Sequence, residues 1–426
     1  MDDDSFPSED DSSVDFEEEL SNLTLLRIRK NYPRMEKLKG AGNDPYIQTM
    51  IPWEWEELGR VISNNTHLRE LDLYDDALND LKMSSLFRGL TRSDTIKAIQ
   101  LRDNHLSVAG VQCMVPFLQS TNSVIYLNLI DNNIQSEGFN ILWRVLRDSP
   151  IESLFFTDCG IESIEIDSEH KPKHLETLYL TNNSINADGC RELAKLVQGA
   201  DATLKNLSLV GNEIDDHILV DALRKNTSLM RLHLEGNDGI SKQGYIAMLK
   251  LVNDVSSINA TFQSNHTLKH VGRDNSFNFS NDVKTQVQEL IDMATRVNME
   301  YRYNSEAVGK GKILQTQLNS STRAELAELQ GVSQSLYSEI SPLHLPEVLA
   351  LVCRYRGVWE LYVALKSSIA GVISTVNRKQ CLQQQRTYHR ARIDAIEAEI
   401  AEIEAMEKAA GSHIGSESRS SKRRRA

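Results

Sequence analysis

The stretch from Val124 to Ile134 decides the fold, and it reads Val-Ile-Tyr-Leu-Asn-Leu-Ile-Asp-Asn-Asn-Ile. Leu127 and Leu129 alternate with Tyr126 and Asn128, and Asn132 follows three residues after Leu129. Alternation of this kind places two leucines on one face of a short strand and the residues between them on the other face. An asparagine after a strand can satisfy backbone groups that a tight turn leaves unpaired. The stretch therefore predicts a short strand that ends in a turn.

The same motif, alternating apolar residues followed by an asparagine, recurs along the first two thirds of the chain at intervals of 24 to 29 residues. We call it the strand phrase. Its copies start at Leu68, Ile96, Val124, Ile151, Leu175, Leu204 and Leu229. Asp76 and Cys159 replace the asparagine in two of them. A fixed period of this length indicates a solenoid in which each copy is one structural unit. A further start at Leu268 comes late, so the spacing leaves open an insertion around residues 255–266 or a terminal capping unit.

A second half follows most copies of the strand phrase. Apolar residues recur every four positions with a glycine in the first turn, as in Ile134, Gly138, Leu142 and Leu146. This spacing predicts an amphipathic helix, and the glycine predicts a close approach of the helix to the strand backbone. After Ile161 the helical pattern is missing, which predicts an irregular outer wall at that unit.

These units resemble the ribonuclease-inhibitor-type leucine-rich repeat family, whose long repeats pair a strand with a full helix. The resemblance covers residues 67–275 and implies an α/β fold, a curved solenoid of strand-turn-helix repeats. It also implies that proteins bind to the concave face that the strands form, although the family shares little else in function.

The segment before the repeats, residues 20–66, is predicted to be an N-terminal cap, because the end of a solenoid exposes its apolar core unless it is covered. Pro52 suits the first turn of a helix, in which Trp53 and Trp55 are expected to cover the first repeat. The spacing from Leu23 to Asn31 obeys the strand phrase and predicts one degenerate repeat in the cap.

Helical periodicity replaces the repeat after residue 275. It predicts an all-α region over residues 276–380, which includes an apolar stripe from Val358 to Val376, and these faces are interpreted as core rather than as a docking groove. The spacing over residues 381–410 alternates between four and three, as in a short coiled coil. Two alternatives remain open for it: a homodimer through residues 382–406, or a helix that stays solvated or packs within its own chain.

Most of the formal net charge of −13 lies at the N-terminal end. Residues 1–19 hold ten acidic residues and no basic one, which predicts an acidic disordered tail. Residues 411–426 are predicted to be a basic disordered tail. Its last bases, Lys422, Arg423, Arg424 and Arg425, resemble a monopartite nuclear import signal, so an importin is an expected partner. A globally basic nucleic-acid binder is excluded, and no specific nucleic acid is expected.

The compartment is predicted to be intracellular, in the cytoplasm or the nucleus or both. The first residues lack the basic and apolar regions of a secretory signal. The sequence contains no run of eighteen apolar residues, so no membrane span is predicted. The five cysteines are widely spaced without a Cys-x-x-Cys pair, which is typical of reduced thiols.

No catalytic, cofactor or metal motif emerges from the sequence. The stretch from Val308 to Ile313 has glycines and lysines but lacks the spacing and the hydroxyl of a phosphate-binding loop. The histidines are scattered, and His67, His105 and His233 are interpreted as ordinary surface groups rather than general bases. We therefore predict no catalytic residue, no cofactor and no metal.

The solvent-facing strand positions carry the expected binding surface. Stacking successive units brings aromatic and aliphatic side chains side by side, with an arginine at either end, and such surfaces are common at interface hot spots. The predicted protein-binding residues are Tyr74, Arg102, Tyr126, Ile130, Phe155, Tyr179, Arg231 and His233. The competing interpretation is that strands simply favour aromatic residues.

The leading hypothesis for the function is a non-enzymatic adaptor or scaffold that captures a protein partner on the concave face. An alternative from another class is a GTPase-activating protein similar to the activators of the small GTPase Ran, which also combine long repeats with an acidic tail. That resemblance implies an arginine on a repeat loop that cannot be matched here, and the acidic tract lies at the other end. Intracellular immune-type sensors carry a nucleotide-binding module that this sequence lacks.

Overall fold

The computed structural model describes most of the first 332 residues and a few later helical positions. The described ranges are 18–19, 22–40, 49–74, 78–167, 171–198, 202–214, 218–256, 258–272, 283–300, 305–313, 320–332, 386–387, 390, 393–394 and 397. Internal contacts divide the chain into two units, one of Met1–Val255 with Ala260–Lys312 and one of Ser256–Asn259 with Ile313–Ala426.

Among the described residues of the first unit, ten strands form one sheet, and each strand pairs in parallel with the next one along the chain. The strands are β1 (Glu18–Glu19), β2 (Lys37–Gly40), β3 (Glu70–Leu73), β4 (Ala98–Gln100), β5 (Tyr126–Asn128), β6 (Ser153–Phe155), β7 (Thr177–Tyr179), β8 (Asn206–Ser208), β9 (Arg231–His233) and β10 (His270–Gly272). Strands β3 to β9 lie in the seven predicted copies. The start at Leu268 introduces β10, which pairs with β9.

Helices alternate with the strands, as the four-residue spacing predicts. They are α1 (Asn22–Arg29), α2 (Pro52–Ser63), α3 (Asp80–Gly89), α4 (Val108–Ser120), α5 (Gln135–Val145), α6 (Ala187–Val197), α7 (Ile218–Leu223), α8 (Lys242–Val252), α9 (Ile258–Gln263), α10 (Val283–Glu300), α11 (Ser305–Lys312) and α12 (Ser320–Gln330). A short 3-10 helix, Leu146–Asp148, follows α5. Between β6 and β7 the described residues form no helix, which confirms the irregular wall predicted after Ile161. No helix among the described residues has the length and apolar character to cross a membrane.

The core lies between the sheet and the helices. The two leucines of the deciding stretch, Leu127 and Leu129, are fully buried, as are their equivalents in the other units. Each such side chain contributes about 1.5 to 3 kcal/mol when it leaves water. The glycine in the first helical turn was predicted to allow a close approach of the helix to the strand backbone, but its role is different. A Cβ at Gly138 would lie 3.0 Å from the Cβ of Ile134, so the glycine makes room for the isoleucine before the helix rather than for a strand.

An asparagine ladder joins each repeat to the one before it. The Nδ2 group of Asn132 donates to the carbonyl of Leu129 in its own repeat at 3.0 Å and to that of Leu101 in the preceding repeat at 2.8 Å. Its Oδ1 atom accepts from the amide of Leu106 at 3.2 Å. Equivalent bonds to the preceding repeat are made by Asn104, Asn183, Asn212 and Asn237. The asparagine therefore closes its own turn, as predicted, and also fixes the stacking of neighbouring repeats.

Cys159 takes the place of the asparagine in one rung of the ladder. Its thiol Sγ donates to the carbonyl of Leu129 in the preceding repeat at 3.2 Å, so the inter-repeat bond is kept. Burial raises the pKa of Cys159 to about 12, which keeps the thiol protonated and able to donate.

The N-terminal cap differs from the prediction. The segment with the strand-like spacing forms the helix α1, in which Ile28 is buried and Leu26 is exposed. A spacing of three residues between leucines fits a helical face as well as the strand phrase, which explains the error. The strand that pairs with β3 is β2, and the end of the acidic tract, predicted to be disordered, pairs with it as β1.

Only one of the two cap tryptophans covers the repeats. Pro52 occupies the first turn of α2 as expected, and Trp55 is fully buried. The side chain of Trp53 is 62% exposed, so the prediction that it also covers the first repeat is wrong.

The helix α10 packs against α8 and β10 at the C-terminal end of the sheet. The side chains buried along its predicted apolar face are Val287, Leu290, Ile291, Ala294 and Val297. At the end of α11, the Nζ group of Lys312 reaches back to the carbonyl oxygens of Val252 and Asn265 and to Nδ1 of His266. These three contacts hold the end of α11 to the last repeats.

Later predictions fall largely outside the described residues. In the second unit, Leu326 on α12 is buried, as the periodicity predicts. Along the predicted coiled coil, the described positions are helical and exposed, including Ile393 at 54%. The apolar stripe from Val358 to Val376 and the basic tail 411–426 lie outside the described residues.

Candidate functional site

Side chains that alternate with the buried leucines lie on the opposite face of the sheet, which we call the concave face. The parallel register arranges them in rows. The first row contains Lys37, Glu70, Ala98, Tyr126, Ser153, Thr177, Asn206, Arg231 and His270. The second contains Lys39, Asp72, Gln100, Asn128, Phe155, Tyr179, Ser208, His233 and Gly272, and a third row follows two residues further along each segment.

Three aromatic rings meet in the middle of this face. The ring centroid of Phe155 lies 5.0 Å from that of Tyr126 and 4.9 Å from that of Tyr179, with interplanar angles of 36° and 59°. Both distances are within the range of favourable aromatic pairs. The three residues, on β5, β6 and β7, form what we call the aromatic cluster. All three are half-buried, so each ring packs on its neighbours and still presents a surface to solvent.

A charged network occupies the N-terminal side of the concave face. The Arg102 guanidinium lies 5.1 Å from the ring centroid of Tyr74 and 3.7 Å from Oδ1 of Asp72. Lys37 Nζ lies 3.2 Å from Glu70 Oε1 and 3.5 Å from Asp72 Oδ2. Asp72 is almost fully buried, and a buried charge is costly unless it is paired. Lys37 and Arg102 compensate its charge. Arg102 is therefore held toward Tyr74 and Asp72 by contacts within the face.

The other predicted binding residues lie around the aromatic cluster. Ile130 is half-buried in the third row, where the next residue, Asp131, bonds through its amide to the carbonyl of Thr157. Arg231 is exposed in the first row and donates to Oδ1 of Asn206 at 3.1 Å. The structure thus brings the three rings into contact and places the two arginines at opposite sides. Arg231 donates a hydrogen bond to Asn206, and Arg102 forms an ion pair with Asp72.

An acidic rim follows the third row, where each strand segment turns away from the face. Asp103, Asp131 and Asp158 occupy equivalent turns with positive φ angles of 51°, 56° and 53°. Burial and the charges of the two neighbouring carboxylates raise the pKa of Asp131. The rim therefore concentrates negative charge beside the aromatic cluster.

A further cluster lies at the C-terminal side of the face. The rings of His233 and His270 are 4.6 Å apart between centroids, and His233 Nδ1 lies 3.9 Å from Glu235 Oε1. One potential ligand atom from each of the three residues lies within 4.8 Å of the others. The sequence predicts His233 to be a surface group of the protein-binding face and predicts no metal there. The signal was the start at Leu268, because its register places His270 beside Arg231 on the face that His233 shares.

Comparisons with known proteins agree with the repeat architecture. The family model described as "Leucine Rich repeat" matches residues 171–194 and 225–249. The ribonuclease inhibitor of Sus scrofa is 26% identical over 206 residues, which cover 44% of this chain and 43% of that protein. The NACHT, LRR and PYD domains-containing protein 14 of Mus musculus is 27% identical over 186 residues, or 41% of this chain and 19% of that protein.

Among solved structures, the LRIM1/APL1C complex matches with a TM-score of 0.29 and 14% identity, over 90% of this chain and 74% of that chain. The chain thus spans less than half the length of the relatives named above. The family-model matches fall on repeats that contribute strands of the parallel sheet. The chain contains leucine-rich repeats and is similar in sequence to the ribonuclease inhibitors.

Proposed function

We propose that this chain is a non-enzymatic adaptor that captures a protein partner on the concave face, with the aromatic cluster as the main contact. The observation that carries the proposal is the continuous contact of Tyr126, Phe155 and Tyr179 across three adjacent strands. Aromatic residues at the centre of a surface, with arginines nearby, are the typical composition of an interface hot spot.

The cluster is preorganised for binding. Each ring is fixed on a strand of a continuous sheet and packs on the next ring, so a partner would immobilise little that is still mobile. Immobilising a flexible side chain at an interface costs about 0.5 to 1.5 kcal/mol, and this cost is reduced here. Arg102 is oriented in the same way by Tyr74 and Asp72.

The surroundings of the cluster favour a partner with an apolar anchor and nearby basic side chains. The rings offer apolar area, and the acidic rim of Asp103, Asp131 and Asp158 lies next to them. Complementary charge beside an apolar anchor raises the association rate and excludes partners of the wrong charge.

The relatives support binding as the class of function. A ribonuclease inhibitor is, by its name, a protein that acts on another protein, and its similarity to this chain covers the repeats. Because the match spans less than half of that protein, the identity of the partner for this chain is not carried over. The fold provides the surface, and the residues on it determine what binds.

Affinity capture with matched baits tests the proposal. The full chain, the triple variant Tyr126→Ala/Phe155→Ala/Tyr179→Ala and the control variant Trp53→Ala are each incubated with cell extract, and the captured proteins are quantified by mass spectrometry. Trp53 is an exposed aromatic residue outside the concave face. We expect partners that the full chain and the control retain and that the triple variant loses. Equal capture by the triple variant, with an unchanged circular dichroism spectrum, would contradict the proposal.

A further inference from the structure

The cluster at the C-terminal side of the concave face has the composition of a metal site. We propose that His233, Glu235 and His270 bind one divalent transition-metal ion, with zinc as the preferred metal. This proposal is independent of the aromatic cluster and of the proposed partner.

The backbone brings the three residues together on one face. His233 and Glu235 are two positions apart on the segment of β9, so their side chains leave the sheet on the same side. In the register of β9 and β10, His270 pairs with Arg231 and Gly272 pairs with His233. His270 is therefore diagonal to His233 on the adjacent strand, and the position opposite His233 has no side chain. Paired strands hold His233 and His270 more rigidly than loops would. Glu235 lies in the turn after β9, where its carbonyl accepts from the amide of Gly211 at 2.7 Å.

The distances allow coordination after small side-chain rotations. The three ligand atoms lie within 4.8 Å of one another, and His233 Nδ1 is 3.9 Å from Glu235 Oε1. Metal-ligand bonds of about 2.0 to 2.2 Å in a tetrahedral site place ligand atoms roughly 3.4 Å apart. The atoms must therefore approach by up to roughly 1.4 Å, which rotations about the side-chain bonds of two histidines and a glutamate provide.

The chemistry of the ligands favours zinc among biological cations. Imidazole nitrogens suit zinc and its neighbours in the first transition series, whereas magnesium and calcium prefer oxygen ligands only. Two histidines and a carboxylate leave one position of a tetrahedral ion for water or another donor. The open position would face the concave hollow, since all three side chains lie on that face.

Residues behind His270 fit the same interpretation. Asp292 on α10 is near enough to His270 for their charges to interact, and it accepts a bond from Gln288 Nε2 at 2.7 Å. Gln288 Nε2 in turn donates to the carbonyl of Val271 on β10 at 2.8 Å. A negative charge near a ligating histidine favours a bound cation. The competing explanation of the cluster is an ion pair between protonated His233 and Glu235, with no metal.

Titration of the metal-free full chain with Zn²⁺ by calorimetry tests the site. The variants are His233→Gln, His270→Gln and Glu235→Gln, and the control is His105→Gln, an exposed histidine on another repeat. We expect one Zn²⁺ per chain that the control keeps and that each ligand variant binds at least about 10-fold more weakly. Zn²⁺ should also raise the melting temperature of the full chain and of the control more than that of the ligand variants.

X-ray absorption at the zinc edge identifies the ligands directly. The site predicts nitrogen and oxygen neighbours at about 2.0 to 2.2 Å and no sulfur at about 2.3 Å. Equal Zn²⁺ binding by the full chain and the His233→Gln and His270→Gln variants would overturn the proposal, as would sulfur ligation or no binding at all. The metal-free melting temperatures show whether a variant has lost its fold, and the absorption spectrum of the unaltered chain tests the site without any variant.

Discussion

The side-chain Nδ2 group of Asn183 donates to the backbone carbonyl of Phe156, 27 residues earlier in the chain, at 2.7 Å. The same group also bonds to Leu180 within its own repeat at 3.0 Å. Its Oδ1 atom accepts from the amides of Cys159 and Ile161 at 3.1 and 3.0 Å. One buried carboxamide thus joins two repeats, and the stability of the sheet that carries the concave face depends on such rungs.

Replacing Asn183 by alanine should destabilise the repeat domain by about 2 to 3 kcal/mol, because buried carbonyl and amide groups of Phe156, Cys159 and Ile161 would lose their partners. Urea unfolding followed by circular dichroism measures the change. Asn122→Ala, at an exposed position, is the control and should change the free energy of unfolding by less than about 0.5 kcal/mol. A loss no larger than that of the control would show that the ladder does not hold the repeats.

Replacing Cys159 by asparagine should complete the ladder. The Cys159 thiol provides the donor to Leu129, but it is a weaker acceptor than the oxygen that Asn132 offers to the amide of Leu106. An asparagine at this position would offer an oxygen to the equivalent amide of Ile134. We expect the free energy of unfolding to rise by about 1 kcal/mol in the same urea experiment. A decrease would mean that the larger side chain does not fit the rung.

The buried amine of Lys312 should make the stability of the C-terminal end depend on pH. Burial lowers the pKa of Lys312 to about 7, and burial together with the nearby lysine lowers that of His266 to about 4. His266 is therefore neutral at pH 7. Its Nε2 atom contacts the carbonyl of Phe262 at 3.0 Å, so that nitrogen carries the hydrogen and Nδ1 accepts from Lys312.

The direction of this pH dependence follows from the difference in proton binding between the folded and the unfolded chain. The folded-state pKa of Lys312 lies below its unfolded value of 10.5, so between about pH 7 and 10.5 the unfolded chain holds a proton that the folded chain has released. The free energy of unfolding therefore rises with pH in this window, by about 2 kcal/mol from pH 7 to pH 9 for this one group. Urea titrations of the unaltered chain and of Lys312→Met at both pH values measure it. The rise attributable to Lys312 is the difference between the two chains, and parallel pH profiles would refute the assignment.

The repeat domain was predictable from sequence because its signal is repeated and local. Seven copies of one phrase define the strands, and the side chains of the concave face follow from simple alternation. The N-terminal cap was less predictable, since the spacing in α1 fits a helix as well as a strand. Trp55 is buried whereas Trp53 is exposed, and this difference depends on how the cap lies on the first repeat. The spacing of apolar residues does not encode it.

The details of the candidate site depend on contacts between strands. The contact of Phe155 with Tyr126 and Tyr179 agrees with the order of the repeats. The direction of Arg102 does not follow from that order, because it depends on Asp72 and Tyr74 in the preceding unit. The pairing of His233 with His270 required the register of the last strand, which follows an irregular interval in the sequence.

Site-directed photo-crosslinking from the centre of the concave face tests the central claim most directly. Benzoylphenylalanine replaces Phe155 in one chain and Leu81 in another, since Leu81 is 61% exposed on the helix α3. Both chains are irradiated in cell extract, and the crosslinked products are identified by mass spectrometry. We expect a discrete protein to be crosslinked from position 155 and to be absent from the products at position 81. The same products from both positions, or none from position 155, would contradict capture on the concave face.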